Sequence, residues 1–258
     1  MRIDILTLFP DTVGDVLSES ILGRAQERGY IRIDTHQIRD YTTNKQNQVD
    51  DYPYGGGRGA VMQADPLYRC WEAVKGMAEG EVHTIYLSPC GKTFTQADAI
   101  RLSQKERLVL VCGHYEGIDQ RFIDECVDEE ISLGDFVLTG GEIAAMAVTD
   151  AVCRMVPGVL ADPECFEDES HYSGMLEYPQ YSRPAVWHGR EVPAILLSGN
   201  HEKVRQWRRK QALRRTRERR PDMYEKLDLS SKQDKKLLKE MEQEDLEHGA
   251  EAGSGNGA

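Results

Sequence analysis

Leu108–Glu142 reads LVLVCGHYEGIDQRFIDECVDEEISLGDFVLTGGE, and the two glycine turns inside it decide the fold. The apolar run Leu108 to Val111 reads as a buried strand that empties into Cys112-Gly113-His114-Tyr115-Glu116-Gly117. A second strand-like stretch, Glu130 to Leu138, empties into Thr139-Gly140-Gly141-Glu142. Glycine lets main chain approach a ligand closely and take up positive φ without a Cβ clash. Turns of this kind at strand ends build small-molecule sites in α/β sheets largely from backbone. Either turn alone reads better as an ordinary strand-to-helix connection. A third shifts the balance towards a site: Thr84-Ile85-Tyr86-Leu87 runs into Ser88-Pro89-Cys90-Gly91.

Outward from that stretch, strand and helix signals alternate. Arg2 to Phe9 reads as a strand stopped by Pro10, where a helix starts. Ile21 to Glu27 reads as a helix closed by Gly29, and Tyr30 to Gln37 as a strand. Asp40 to Gly59 is a long polar, glycine-rich loop, a length that favours function over mere connection. Helix follows from about Asp65, then strand Val82 to Leu87, helix, strand, helix, strand, and helix from about Glu142. That alternation predicts an α/β fold, a parallel sheet covered on both faces. Ala161 to Gly174 lacks apolar periodicity and reads as a linker. Beyond Pro193 the pattern is helical, started by Ser198-Gly199-Asn200, and Gly249 to Ala258 reads as a disordered tail. The resulting division is residues 1–160, a linker 161–175, a small helical C-terminal domain 176–246 and a tail 247–258.

Composition narrows the function classes. At 258 residues the chain can bury a sizeable core, and no apolar run reaches the roughly 20 residues of a membrane helix. The N-terminus lacks the apolar core of a signal peptide. Six cysteines (70, 90, 112, 126, 153, 165) are scattered without a C-x-x-C pair. That speaks against a zinc site or disulfide framework and for a reducing cytoplasm. Net charge is −12, yet His201 to Arg220 carries ten Lys or Arg against two Glu. Such asymmetry predicts a local polyanion contact, the alternative being a solvated helix face. Two decoys fall away. Cys90-Gly91-Lys92-Thr93 ends like a P-loop, but Tyr86 stands where the first glycine belongs, and no G-x-G-x-x-G follows the first strand.

The motifs YLSPCG, LVCGHYEGID and SLGDFVLTGGE resemble the signature of the bacterial tRNA (guanine-N1-)-methyltransferase family of knotted methyltransferases. The resemblance extends through VDDYPYGGGRGAVM (Val49–Met62), RMVPGVL (Arg154–Leu160), LEYPQYSRP (Leu176–Pro184) and VPAILLSGNH (Val192–His201), nearly the whole chain. It implies a parallel sheet with a deep trefoil knot, a small C-terminal helical domain, and methylation of N1 of the guanosine at position 37 of tRNA. It also implies S-adenosylmethionine as methyl donor, an assisting Mg2+ ion whose ligands no spacing here marks, tRNA rather than DNA as partner, and a homodimer. Carried over by motif, the cofactor residues are Tyr86, Leu87, Ser88 and Pro89; Gly113, Tyr115 and Glu116; and Leu133, Gly134, Asp135, Phe136, Val137 and Leu138 with Gly140 and Gly141.

Methylating guanine N1 requires removal of its proton, hence a general base, and a cation or donor at O6 where negative charge develops. Arg154 matches the family arginine assigned to O6. The family's Asp-Ser-Phe base motif is altered here to Glu167-Asp168-Glu169-Ser170-His171. Ungapped spacing puts Glu169 at the base position, with Asp168 as the alternative. By resemblance Asp50 and Arg58 line the guanine side. The basic stretch is expected to meet tRNA phosphates through Arg214 and Arg215, and His114 reads as a loop histidine without a catalytic role. One subunit's Arg154 and cofactor loops are expected to meet the guanine while the partner's linker and C-terminal domain close over it. Two alternatives stand beside this: a knotted methyltransferase acting on another RNA, and a catalytically inactive RNA-binding factor.

Overall fold

The computed structural model describes residues 1–160, 166 and 169–254. Two compact units divide the chain, Met1–Pro163 and Glu164–Ala258. In the first, five parallel strands run β2-β1-β6-β5-β7, with β1 at Arg2–Thr7, β2 at Arg32–Gln37, β5 at Val82–Thr93, β6 at Arg107–Cys112 and β7 at Glu129–Ser132. The central strand β6 is buried along its whole length, as a near-continuous apolar run in a two-sided parallel sheet requires. Its residues alternate between two cores. Leu108, Leu110 and Cys112 join Ile3, Ile5, Ile85 and Ile131 on one face, whereas Val109 and Val111 join Leu6 and Tyr86 on the other.

Helices cover both faces. Residues of α1 (Pro10–Leu17), α2 (Ser20–Glu27), α4 (Gln96–Ser103) and α6 (Glu142–Cys153) supply the first core. Those of α3 (Ala64–Gly76) and α5 (Gln120–Cys126) supply the second. Each leucine or valine sealed between sheet and helix contributes about 1.5–3 kcal/mol relative to exposure. The alternating architecture and the helix stop at Gly29, which sits at φ 76, match the sequence reading.

Three boundaries differ. β5 does not end at Leu87 but runs on to Thr93, so Ser88–Gly91 is an irregularity inside a strand. Gly91 permits it, because a Cβ there would lie 2.5 Å from the Glu130 carbonyl carbon and the Ile131 nitrogen of the neighbouring chain. β7 stops at Ser132, where Ser132 Oγ accepts from Gly134 N–H (3.1 Å) and turns the chain out of the ladder. Leu133 to Leu138 is therefore loop, despite its apolar residues. In the polar loop after β2, short strands β3 (Asp50–Asp51) and β4 (Val61–Met62) pair antiparallel.

The second unit is organised by α7 (His201–Arg219), started by Asn200 Oδ1 accepting from Lys203 N–H at 3.1 Å. Leu213 and Ala212 of α7 pack with Met175 and with Leu237 and Met241 of α9 (Lys232–Ser254). The short helix α8 (Pro221–Tyr224) turns between them, and a hairpin, β8 (Val186–Trp187) with β9 (Arg190–Glu191), adds strand to a region read as purely helical. α9 reaches Ser254, into the stretch read as tail, because nothing from Gly249 to Ser254 is a proline that would stop propagation. Among the described residues no helix is long and apolar enough to cross a membrane, and the five described cysteines are free. Cys165 lies outside the described residues.

Candidate active site

All three motif segments open onto one cavity of about 420 Å³ at the irregularity within β5 and the carboxyl ends of β6 and β7, the edge at which open α/β sheets bind ligands. The lining includes Tyr86, Leu87, Ser88 and Pro89 from β5, Gly113, Tyr115 and Glu116 after β6, and Leu133, Phe136, Val137, Leu138, Gly140 and Gly141 after β7. Gly134 and Asp135 stand outside that lining. Ile118 and Thr139, within the motifs but not carried over as cofactor residues, and Gln120 and Ile131, outside them, join it. Apolar walls, exposed backbone and volume suit a nucleoside-like ligand. Burial first, then the Glu130 and Cys90 charges, push the Tyr86 phenol up to about 12, so it faces the cavity neutral. Burial likewise raises the fully buried Cys112 thiol well above its ordinary range, which keeps it a thiol rather than a nucleophile.

The glycines work differently from the sequence expectation. Gly113, Gly140 and Gly141 do not take positive φ; Gly117 (φ 122) and Gly134 (φ 149) do. What the first three lack is room for a Cβ. At Gly141 it would meet the Cα of Cys112 at 2.7 Å, and at Gly113 the Tyr86 hydroxyl at 2.8 Å. The two turns are thus pressed backbone to backbone, joined by Gly141 N–H donating to Gly113 O at 2.9 Å.

A side-chain clasp reinforces that joint. Glu142, buried at the start of α6, accepts from the Thr7 hydroxyl at 2.7 Å and lies 3.0 Å from His114 Nε2. The His114 ring packs against Phe9, centroids 5.1 Å apart. A Cβ on Gly140 would fall 2.2 Å from His114 Nε2 and 2.5 Å from Glu142 Oε2. His114 therefore ties the β6 turn to the β7 turn rather than merely occupying a loop. Sequence reasoning missed Glu142, whose signal was a carboxylate placed directly after two glycines and before an apolar helix.

The polar loop is anchored beside the same cavity. Glu116 N–H donates to Ala60 O, and Met62 N–H to Gly117 O, both at 3.0 Å. Gly59 lies against the Glu116 side chain, where a Cβ would approach to 2.5 Å. Asp50 is half-buried in β3 and Arg58 is exposed in the loop; neither lines the cavity.

Arg154 follows the last residue of α6, its N–H bonded to Asp150 O at 3.1 Å. Twelve helical residues separate it from Gly141, about 18 Å at 1.5 Å per residue, more than an arginine side chain spans. Arg154 thus stands about a helix length from the Gly141 turn of its own chain. Glu169 is half-buried in the second unit, and its N–H donates to Phe166 O at 3.1 Å. Asp168 lies outside the described residues. Arg214 and Arg215 sit on α7 with partners in their own unit: Arg214 with Glu244 at 2.7 Å, Arg215 donating to Glu177 O at 3.1 Å. Among the described residues no three His, Cys, Asp or Glu side chains converge as a metal site.

A family model described as tRNA (Guanine-1)-methyltransferase TrmD matches residues 1–226. A tRNA (guanine-N(1)-)-methyltransferase of Clostridium perfringens (strain 13) is 58% identical over 239 residues, covering 93% of this chain and 99% of the relative. Proteins of the same name from Ruminiclostridium cellulolyticum and Desulforamulus reducens are each 51% identical, covering 88% and 94% of this chain and 97% and 95% of the relatives.

Proposed function

The chain belongs to the tRNA (guanine-1)-methyltransferase family, and from that premise we infer how its residues divide the work of methylating N1 of guanosine 37 in tRNA. The observation that carries the reading is the single cavity formed by the three glycine-bearing segments. When bound there, S-adenosylmethionine supplies an electrophilic methyl group on a sulfonium. Tyr86, Leu87, Leu133 and Leu138 provide apolar walls, and the backbone around Ser88, Gly113, Gly140 and Gly141 provides donors and acceptors. The loop holding Asp50 and Arg58, tied to Glu116 through Ala60, lies on the guanine side.

Glu169 takes the N1 proton of the guanine, with Asp168 as the alternative base. With that proton on the carboxylate, the N1 lone pair would be free to take the methyl group that S-adenosylmethionine would supply, the carbon–sulfur bonding pair leaving with sulfur. Negative charge that builds on O6 is met by the Arg154 guanidinium, which donates forked N–H groups. Since Arg154 is about a helix length from its own cavity, we assign it and Glu169 to the second chain of a homodimer. Exposed apolar residues beside the cavity support a covering chain: Val137 is 81% and Ile143 56% exposed. The deep trefoil knot belongs to this reading, supported by the return of the chain after the edge strand β7 to pack against the end of β6. No step is assigned to Mg2+, because the described residues offer no converging ligand set.

The test is methyl transfer to unmodified tRNA transcripts. Transcripts with guanosine at position 37 are expected to be methylated at N1, and those carrying another base there to remain unmodified. Equal methylation of both would move the target to another nucleotide.

A further inference from the structure

The second unit contains its own cavity, about 400 Å³ and within the roughly 300–1,000 Å³ range of ligand pockets, bordered by Tyr178, Arg205, Arg208, Ser173, Ser231 and Gln233. At 3.6 residues per turn, the cations of α7 fall on two flanks. On one flank the acids of α9 neutralise them. Lys210 and Arg214 both reach Glu244 at 2.7 Å, and Arg217 reaches Asp245 at 2.7 Å. Lys210 and Arg214 are largely buried by these contacts.

The other flank is compensated only in part. Arg208 has no carboxylate partner among the described residues, its guanidinium lies 4.8 Å over the Tyr178 ring, and its buried Nε has no hydrogen-bond partner. Arg215 gives one N–H to the Glu177 carbonyl, which leaves its charge in place. Arg205 pairs only with Glu202 one turn away, both exposed, a pair that solvent screens and an anion replaces readily. Arg209 borders the cavity but is held by Asp234 at 3.0 Å.

We propose that this cavity seats a phosphodiester of the RNA substrate, with Arg208 as its principal ligand. Stacking on Tyr178 fixes the guanidinium plane, so the fork is already oriented towards a phosphate and loses little freedom on binding. Ser173 and Gln233 add neutral donors at the rim, whereas the Ser231 hydroxyl already donates to Asp234 at 2.8 Å. Arg205 and Arg215 flank the site with charge. Glu244 and Asp245 stand where phosphates would otherwise bind Lys210, Arg214 and Arg217, so RNA is excluded from that flank. Of the two arginines that the sequence marks as phosphate contacts, Arg215 stays and Arg214 becomes a strut between α7 and α9.

This rests on the tRNA methyltransferase reading, and binding is measured separately from methylation so that the two fail separately. An unmodified tRNA transcript is titrated against each protein over a series of salt concentrations. Arg208→Ala is expected to weaken binding and to lower the slope of log affinity against log salt by about one. Arg214→Ala is expected to keep the wild-type slope. Arg208→Lys, which keeps charge without the fork, should fall between wild type and Arg208→Ala. Thermal melting confirms that each variant is folded. A lowered slope in Arg214→Ala, or a wild-type slope in Arg208→Ala, overturns the proposal. Saturable binding of inorganic phosphate alone, lost in Arg208→Ala while tRNA affinity holds, would make the cavity a small-anion site and also overturn it.

Discussion

Calorimetry on Gly141→Val is expected to show no measurable S-adenosylmethionine binding. The reason is packing and not backbone conformation, since Gly141 sits at φ −78, where valine is at ease. Any Cβ at this position falls 2.7 Å from the Cα of Cys112, the last residue of the central strand β6, and 3.1 Å from the nitrogen of Gly113. Neither atom can retreat without deforming the sheet. The turn after β7 must move instead, which breaks the 2.9 Å bond from Gly141 N–H to Gly113 O and spreads the cavity's main-chain walls. Gly141→Ala, one carbon, is the graded control and should bind measurably but more weakly. If Gly141→Val does not fold by melting, the alanine variant carries the test. Undiminished affinity in either folded protein would remove these turns from the cofactor site.

Glu169→Gln is expected to slow single-turnover methyl transfer by roughly 10²–10⁴-fold, the range typical of losing a general base, with cofactor affinity little changed. Glutamine keeps the size and hydrogen-bonding reach of glutamate but cannot take up the N1 proton. Asp168→Asn should be nearly silent. The reverse ranking would show that the acidic segment is offset by one residue and that the aspartate is the base.

How much of this was legible in the sequence depends on what each element asks of its neighbours. β6 was readable because Leu108 to Val111 is apolar on both faces, a local property. The glycine motifs located the cavity for the same reason: their spacing to strand ends is written in the chain. The reason for the glycines was not, since it depends on which backbones meet across the sheet, Gly141 against Cys112 and Gly91 against Ile131. The His114–Glu142–Thr7 clasp was hidden likewise, its members coming from three strand ends up to 135 residues apart. Leu133 to Leu138 misled because its apolar residues serve the cavity wall and exposed surface, not a strand. The basic run of α7 was obvious, but its division into a neutralised and an open flank appears only once Glu244 and Asp245 stand opposite.

The most direct test of a site shared between two chains combines the two variants. Gly141→Val subunits lack a working cofactor cavity; Glu169→Gln subunits lack the base. A heterodimer of the two contains one site with both defects and one with neither, because the intact cavity of one chain faces the intact Glu169 of the other. Mixing the inactive proteins, with subunit exchange verified by mass, should therefore restore methyl transfer to tRNA. On the assignment proposed above, Arg154→Ala mixed with Glu169→Gln should not, since both residues would reach each site from the same chain. Exchange without restored activity in the first mixture would contradict the shared site and return Glu169 to the cavity of its own subunit.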